Sequence, residues 1–310
     1  MLLHGDQMKA KTIVTGGCGF IGSNLVDRLI EDGHEVLVID YKNSKSQKQY
    51  FKNPKAEYCS FDLAKDPYLF QDMFEGVDWV FHMAAEISVQ YCVENPRDSL
   101  TNNINSTVNV LDCARKSGVK KVVFSSTCAV YGNTLFLPSV ETNRFDCLNT
   151  YSISKHTGEE LCRMYSELYG LNTTALRYFN VYGERQPESG PYAPVMGIFF
   201  NQKQRNEPLT IVGEGYQTRD FVHVSDIVEA NLASALVDQK EYGEVYNVGT
   251  GVNHSIENIA NMISPNQIHL APREGEVMHS RADIKKIKDA LGWEPKVNLE
   301  DWINKKMKTL

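Results

Sequence analysis

A chain of 310 residues and 35.0 kDa is long enough to bury a large core and to form roughly two domains of about 150 residues each. Its 42% hydrophobic and 23% charged residues are those of a folded globular protein, which excludes a disordered or collagen-like chain. The formal charge of −7 comes without a basic stripe or a long acidic block, which excludes the electrostatic footprint of a nucleic-acid binder.

Residues 1–7 have neither the basic start nor the apolar run of a secretion signal, and no later run approaches the ~18 apolar residues of a membrane span, so a cytoplasmic protein without membrane contact is expected. Apolar runs at 12–15, 36–39, 79–82 and 122–125 read as strands, with helix-length amphipathic segments between several of them. That alternation predicts an α/β fold, a doubly wound parallel sheet covered on both faces. Helices are predicted over 99–116 and 152–169, closed by Gly118 and Gly170. From about Gly183 the alternation stops, broken by Pro187, Pro191, Pro194, Gly213 and Gly215, although strand-like 173–176 and 245–248 can return to the main sheet. Seven cysteines, an odd number without a C-x-x-C pair or histidines at zinc spacing, read as reduced thiols and predict no metal site. The lysines at 42, 45, 48 and 52 read as a solvated loop.

The strand at 11–14 runs into Thr15-Gly16-Gly17-Cys18-Gly19-Phe20-Ile21-Gly22, and 23–30 reads as a helix. Strand, glycine turn and helix in this order form a dinucleotide site, because the glycines let the backbone approach a pyrophosphate that faces the positive end of the helix dipole. The next strand ends at Asp40, 18 residues beyond Gly22, where a carboxylate accepts from the adenosine ribose hydroxyls and repels a 2′-phosphate. NAD is therefore expected over NADP. Residues 8–180 are assigned to a Rossmann-type NAD-binding domain and 181–310 mainly to a smaller, C-terminal substrate-binding lobe.

Tyr151, at the start of the second predicted helix, and Lys155 lie four residues apart and share a face. A phenol acting as a base near neutrality must lose its proton about 3 units below its usual pKa, worth roughly 4 kcal/mol, and a lysine ammonium and a positive nicotinamide can supply this. Spacing alone is weak, because Tyr41 and Lys45 share it in a loop-like stretch. Position is stronger: Thr127 stands at the C-terminal end of a strand, where open α/β sheets bind ligands, 24 residues before Tyr151. His82 and His223, without partner acids, read as structural.

The chain resembles an extended short-chain dehydrogenase/reductase of the nucleotide-sugar epimerase family over almost its whole length. The matching pieces, in order, are residues 15–22, Asp62-Leu63, Phe81-His82-Met83-Ala84-Ala85, 125–132, 151–155, 176–183, 219–226, 246–251 and 273–293. The resemblance implies that Gly16, Gly19, Phe20, Ile21, Gly22, Asp40 and Asn43 hold the cofactor, that Asp62 and Leu63 meet the adenine, and that Ala84, Asn103, Ser125 and Tyr178 line the cofactor. Lys155 would also hold the nicotinamide ribose. Asn180, Arg219 and Arg273 would bind the substrate's diphosphate, which suits the planar fork of arginine. Ser280 would stand where a small residue leaves a roomy sugar pocket, and Gln186 resembles the N-acetylhexosamine enzymes, whereas Cys128, Ile87 and Pro194 depart from them.

The resemblance also bears on the reaction. The family's 4,6-dehydratases carry Thr-Asp-Glu where this chain has Thr127-Cys128-Ala129, so an acid for eliminating water is missing. The reading that follows is oxidation at C4 by a permanently held NAD, with Tyr151 as base and Thr127 on the reacting oxygen, then return of the hydride to the other face. UDP-glucose/UDP-galactose is the first expectation and the UDP-N-acetylhexosamine pair the second. A decarboxylase, reductase or heptose epimerase shares the oxidation step, and an NAD-binding scaffold or sensor is the non-enzymatic alternative. A homodimer built on the two long helices is a further expectation from the family.

Overall fold

A computed structural model describes residues 9–41, 50–134, 136–190, 193–237, 243–272 and 277–310. Asn43, Arg273 and the lysines at 42, 45 and 48 lie outside the described residues. The first strand, β1 (Lys11–Thr15), buries Ile13 and Val14 completely, and their alternation sends one to each face of the sheet. It leads through the glycine turn into α1 (Phe20–Glu31), which begins three residues before the predicted start at 23. Next come β2 (Glu35–Asp40), β3 (Glu57–Ser60), β4 (Trp79–His82), a short α2 (Val89–Glu94) and the long α3 (Pro96–Lys116), with Pro96 in its first turn.

Strand β5 (Lys121–Thr127) is followed by α4 (Thr150–Tyr169) and β6 (Thr173–Tyr178). The predicted start of α4 at 152 falls two residues late. Asn149 is the N-cap, its side chain accepting from Ser152 N–H while the Ser152 hydroxyl lies within reach of Asn149 N–H. Serine here fills the place usually held by Glu or Gln, so the signal is easily missed, and the consequence is that Tyr151 belongs to the first turn. At the other end Gly170 takes φ 68°, as expected of a residue closing a helix.

The remaining elements are β7 (Asn180–Tyr182), α5 (Val195–Gln204), β8 (Leu209–Val212), β9 (Thr218–His223), α6 (Val224–Leu236), β10 (Glu244–Val248), β11 (Asn253–Ser255), α7 (Ile256–Ile263), β12 (Gln267–Leu270), α8 (Lys285–Leu291) and α9 (Leu299–Met307). The main sheet has seven parallel strands in the order β3-β2-β1-β4-β5-β6-β10. Strand order reverses between β1 and β4, which opens a crevice at their C-terminal ends. Small sheets β11-β9-β7 and β12-β8 form beside it.

Three apolar clusters hold these layers together. One joins Val14, Leu25 and Leu29 to Ile227, Val228 and Leu232 on α6, and so packs α6 with α1 on the same face of the main sheet. A second, under α3 and α4, contains Ile13, Val122, Phe124 and Cys162. The third gathers Tyr182, Phe199, Phe200, Phe221, Ile259 and Ile303 beside the small sheets. Residues beyond 181 thus contribute in two ways: β10 and α6 complete the main sheet and its cover, while α5, α7 and α9 build a core of their own. No helix among the described residues is long and apolar enough to cross a membrane.

Candidate active site

The crevice above β1, β4 and β5 widens into a cleft of 990 Å³. Gly16 enters it with φ +67°, and a Cβ there would lie 2.9 Å from Ala84 N. At Gly22 a Cβ would come within 2.4 Å of Gly16 O, so the turn closes on itself only with hydrogen at both positions. This cradle, opening at the N-terminus of α1, fits a pyrophosphate approaching backbone N–H groups. Thr15 steadies its far side: Thr15 Oγ1 accepts from Met83 N and Ala84 N, both at 3.1 Å, and pairs with His82 Nδ1 at 2.8 Å.

Asp40 also lines the cleft, its carboxylate taking Cys18 N–H at 2.9 Å and Tyr41 N–H at 2.8 Å. Burial pushes its pKa up, opposed by those two donors. Gly19, Phe20, Ile21, Asp62, Leu63 and Ala84 share the same wall. Asn103 does not. It is buried behind the cleft, where its side chain accepts from Glu86 N at 2.7 Å and donates to Glu86 O and Ser154 Oγ, each at 3.0 Å. Its neighbours Asn102 and Ser106 reach the wall instead.

Further along, Ser125, Thr127, Tyr151, Lys155 and Tyr178 line one continuous stretch. Lys155 Nζ donates to Ser125 O at 2.7 Å and sits 5.0 Å from the centre of the Phe124 ring. Burial pushes its pKa down to about 8, against the negative charge of Glu159. Burial likewise pushes the Tyr151 phenol up to about 12, opposed by a hydrogen bond with Thr127. Both shifts favour the neutral forms, so burial moves the phenol away from the direction a base requires. Tyr178 directs its hydroxyl to Asn231 Oδ1 at 3.0 Å, and its apolar ring serves as wall.

Neither histidine lines the cleft, and His223, contrary to the expectation that it has no partner acid, stands beside Glu184. His82 is buried between Thr15 and Thr107, and its pKa is driven down to about 3 by burial. His223 caps α6 by accepting Ser225 N–H, and its other nitrogen lies 3.1 Å from Glu184, whose carboxyl it helps lower to about 2.

Farther from the glycine turn, Asn180 lines both the main cleft and a second cavity of 340 Å³ that is also lined by Arg219. Arg219 donates to Thr218 O at 2.9 Å, and the Ser280 backbone N–H reaches the same carbonyl at 3.1 Å. The Ser280 side chain bonds Cys128, whose thiol is pushed up to about 11 by burial. Gln186, Ile87 and Pro194 stand on the main cleft. None of the seven cysteines is in a disulfide, and the described residues contain no His/Cys/Asp/Glu cluster able to hold a metal.

Three residues were given no role from the sequence: Ser126, whose edge reaches the cleft, and Glu159 and Arg177 behind it. All three are almost completely buried, and the Glu159 carboxylate accepts from both Ser126 and Arg177. A weak signal existed, since an arginine inside the apolar run at 173–178 requires a buried acid.

The sequence profile of the NAD dependent epimerase/dehydratase family matches residues 12–249. The chain belongs to that family. It is thus an enzyme of the extended short-chain dehydrogenase/reductase type, and NAD is its cofactor. It is 35% identical over 310 residues to a UDP-glucose 4-epimerase of Mycolicibacterium smegmatis, covering 95% of this chain and 96% of that one. It is also 33% identical over 311 residues to a UDP-N-acetyl-alpha-D-glucosaminuronate decarboxylase of Bacillus cytotoxicus, covering 94% and 95%. The crystal structure of UDP-glucose 4-epimerase with UDP-glucose from Thermotoga maritima superimposes with a TM-score of 0.89 at 35% identity, covering 96% of this chain and 97% of that chain. Epimerases and a decarboxylase at similar distance leave the reaction of this family member to its own side chains.

Proposed function

We propose that the chain is an NAD-dependent UDP-sugar 4-epimerase that interconverts UDP-glucose and UDP-galactose. The observation that carries this reading is one cleft wall: Tyr151, Thr127 and Lys155 stand together, followed by Cys128 and Ala129 where an elimination would need an acid. In this reading Tyr151 Oη takes the proton of the C4 hydroxyl, Thr127 Oγ1 hydrogen-bonds the same oxygen, and the Lys155 ammonium stabilises the phenolate. NAD, when held by the glycine turn at 16–22 and by Asp40, would supply a hydride acceptor and donor at C4. The 4-keto sugar turns within the cleft, and Tyr151 gives its proton back as the opposite face is reduced. Because burial favours the neutral phenol, the positive charge of Lys155 and of the oxidised nicotinamide must offset it.

Asn180 and Arg219, with Arg273, are proposed to hold the diphosphate, and the smaller lobe to be the substrate-binding unit. The small Ser280 side chain, tied to Cys128, supports the N-acetylhexosamine pair as the second reading. The deciding experiment is incubation of purified protein with a panel of UDP-, dTDP-, GDP- and ADP-sugars, read by proton NMR. The expected result is a glucose/galactose equilibrium mixture without added nicotinamide. Loss of carbon dioxide, loss of water, or dependence on stoichiometric added NAD would replace this reading.

A homodimer through α3 and α4 is also proposed, supported by the exposed Ile153, Leu168 and Tyr169 on α4. Light scattering at micromolar concentration should give about twice the 35.0 kDa chain mass; a monomer would refute the dimer and leave the chemistry standing.

A further inference from the structure

The two contacts that define the catalytic wall both cross the gap between β5 and α4: Lys155 Nζ to Ser125 O, and Tyr151 to Thr127. A third crosses it one layer deeper. The Ser126 hydroxyl donates to Glu159 Oε1 at 2.5 Å, and Glu159 is the next turn of α4 after Lys155. Its carboxylate is gripped from β6 by Arg177, whose Nε reaches Oε1 at 2.9 Å and whose Nη2 reaches Oε2 at 2.7 Å. The guanidinium is anchored in turn by Tyr131 OH at 2.8 Å and Glu141 O at 3.0 Å, and Tyr131 OH donates to Asn247 Oδ1 at 2.6 Å. Every donor of this chain has an acceptor, and Glu159 and Arg177 side chains are each 2% exposed.

We propose that Glu159, clamped by Arg177, is a positioning residue that holds Ser126, and with it Thr127, in register with the Tyr151–Lys155 face of α4. The inference rests on the assignment of those three residues as the reacting wall. A buried pair of this kind is a poor source of net stability, because desolvation of both ions opposes their attraction. Its geometric effect is specific: a bidentate, planar contact permits one spacing between β5, β6 and α4. Sub-ångström placement of Thr127 against Tyr151 is what proton transfer from a shared oxygen demands.

The same carboxylate has an electrostatic effect on Lys155. The ionisable groups that act on that ammonium are Cys162 and Glu159 on α4 and His82 at the end of β4, with Tyr151 and Tyr178 on the same stretch of wall and Arg177 on the far side of the Glu159 carboxylate. His82 is neutral, and Glu159 favours the charged lysine.

Two variants of the full-length, NAD-loaded protein test the proposal. Ser126→Ala removes only the link to β5. Glu159→Met combined with Arg177→Met removes the pair without leaving an unmatched charge, which keeps the fold accessible. Two readouts are used: kcat and KM on whichever sugar the wild type converts, and the titration midpoint of the Lys155 ammonium by 15N NMR, its signal identified by loss in Lys155→Met. The second needs no substrate.

Ser126→Ala is expected to lower kcat about 10-fold with KM within about twofold and the lysine midpoint unmoved. The double variant should lower kcat further and move the midpoint down, the direction in which loss of the Glu159 charge acts. If both variants keep the wild-type melting temperature, kcat within about twofold and an unmoved midpoint, the pair only packs and the proposal is overturned. A wild type that converts no sugar defeats the functional reading instead, and the midpoint comparison still decides whether Glu159 acts on Lys155.

Discussion

Replacing Tyr151 by Phe is expected to lower kcat by about 10³-fold, the usual contribution of a positioned acid–base group. The change removes one oxygen from a ring that lines the cleft, so NAD content and nucleotide-sugar affinity should stay within a few-fold of wild type. That separation is the useful part of the test, because a residue that only packed against substrate would raise KM and leave kcat unchanged. A pH profile adds a second check. Lys155 is buried with its pKa pushed down to about 8, so its ammonium is present below that pH and is lost as pH rises through it. The ability of Tyr151 to reach the phenolate falls with it, and kcat/KM should show an alkaline limb near pH 8. A profile flat to pH 10, or a Tyr151→Phe enzyme with unaltered turnover, would remove Tyr151 from the mechanism.

Gly22→Ala is expected to weaken NAD binding by roughly 10- to 100-fold, equivalent to about 1–3 kcal/mol of overpacking. The added methyl would lie 2.4 Å from Gly16 O and 2.8 Å from Gly17 Cα, both backbone atoms that cannot swing aside. The turn must open, which lifts the N-terminus of α1 away from the pyrophosphate position. Purified wild-type protein should carry nearly stoichiometric NAD, and the variant far less, measured after acid release by absorbance at 260 nm. Equal NAD content in the two proteins would mean that the turn has room to spare and that the cofactor is held elsewhere. The melting temperature of the variant should fall as well, since loss of a ligand that binds only the folded state lowers stability by mass action.

Much of this molecule was legible before folding because it depends on local order along the chain. The glycine turn is a contiguous strand, turn and helix, so spacing alone located it, and the strands at 12–15, 36–39, 79–82, 122–125, 173–176 and 245–248 each lie within an observed strand of the main sheet. Thr127, Tyr151 and Lys155 were found because strand ends and helix periodicity are one-dimensional signals, and they converge on one wall. Asn103, assigned to the cofactor by the family resemblance alone, turns its side chain to Glu86 and Ser154, an orientation set by the packing of α3 on α4 that no one-dimensional signal carries.

What the amino-acid order determined, then, is the layered α/β fold, the dinucleotide cradle and the identity of the hydroxyl, phenol and amine that stand together on one wall of the cleft. Tertiary structure alone decided how β10 and α6 return from the second half to complete the first, because such pairings join residues far apart in sequence and are selected by burial. It alone placed Glu159 between Ser126 and Arg177, a contact among three elements with no motif to announce it. And it alone set the charge state of the wall, since the push on Tyr151 to about 12 and on Lys155 to about 8 comes from desolvation, which is a property of the surroundings and not of either side chain.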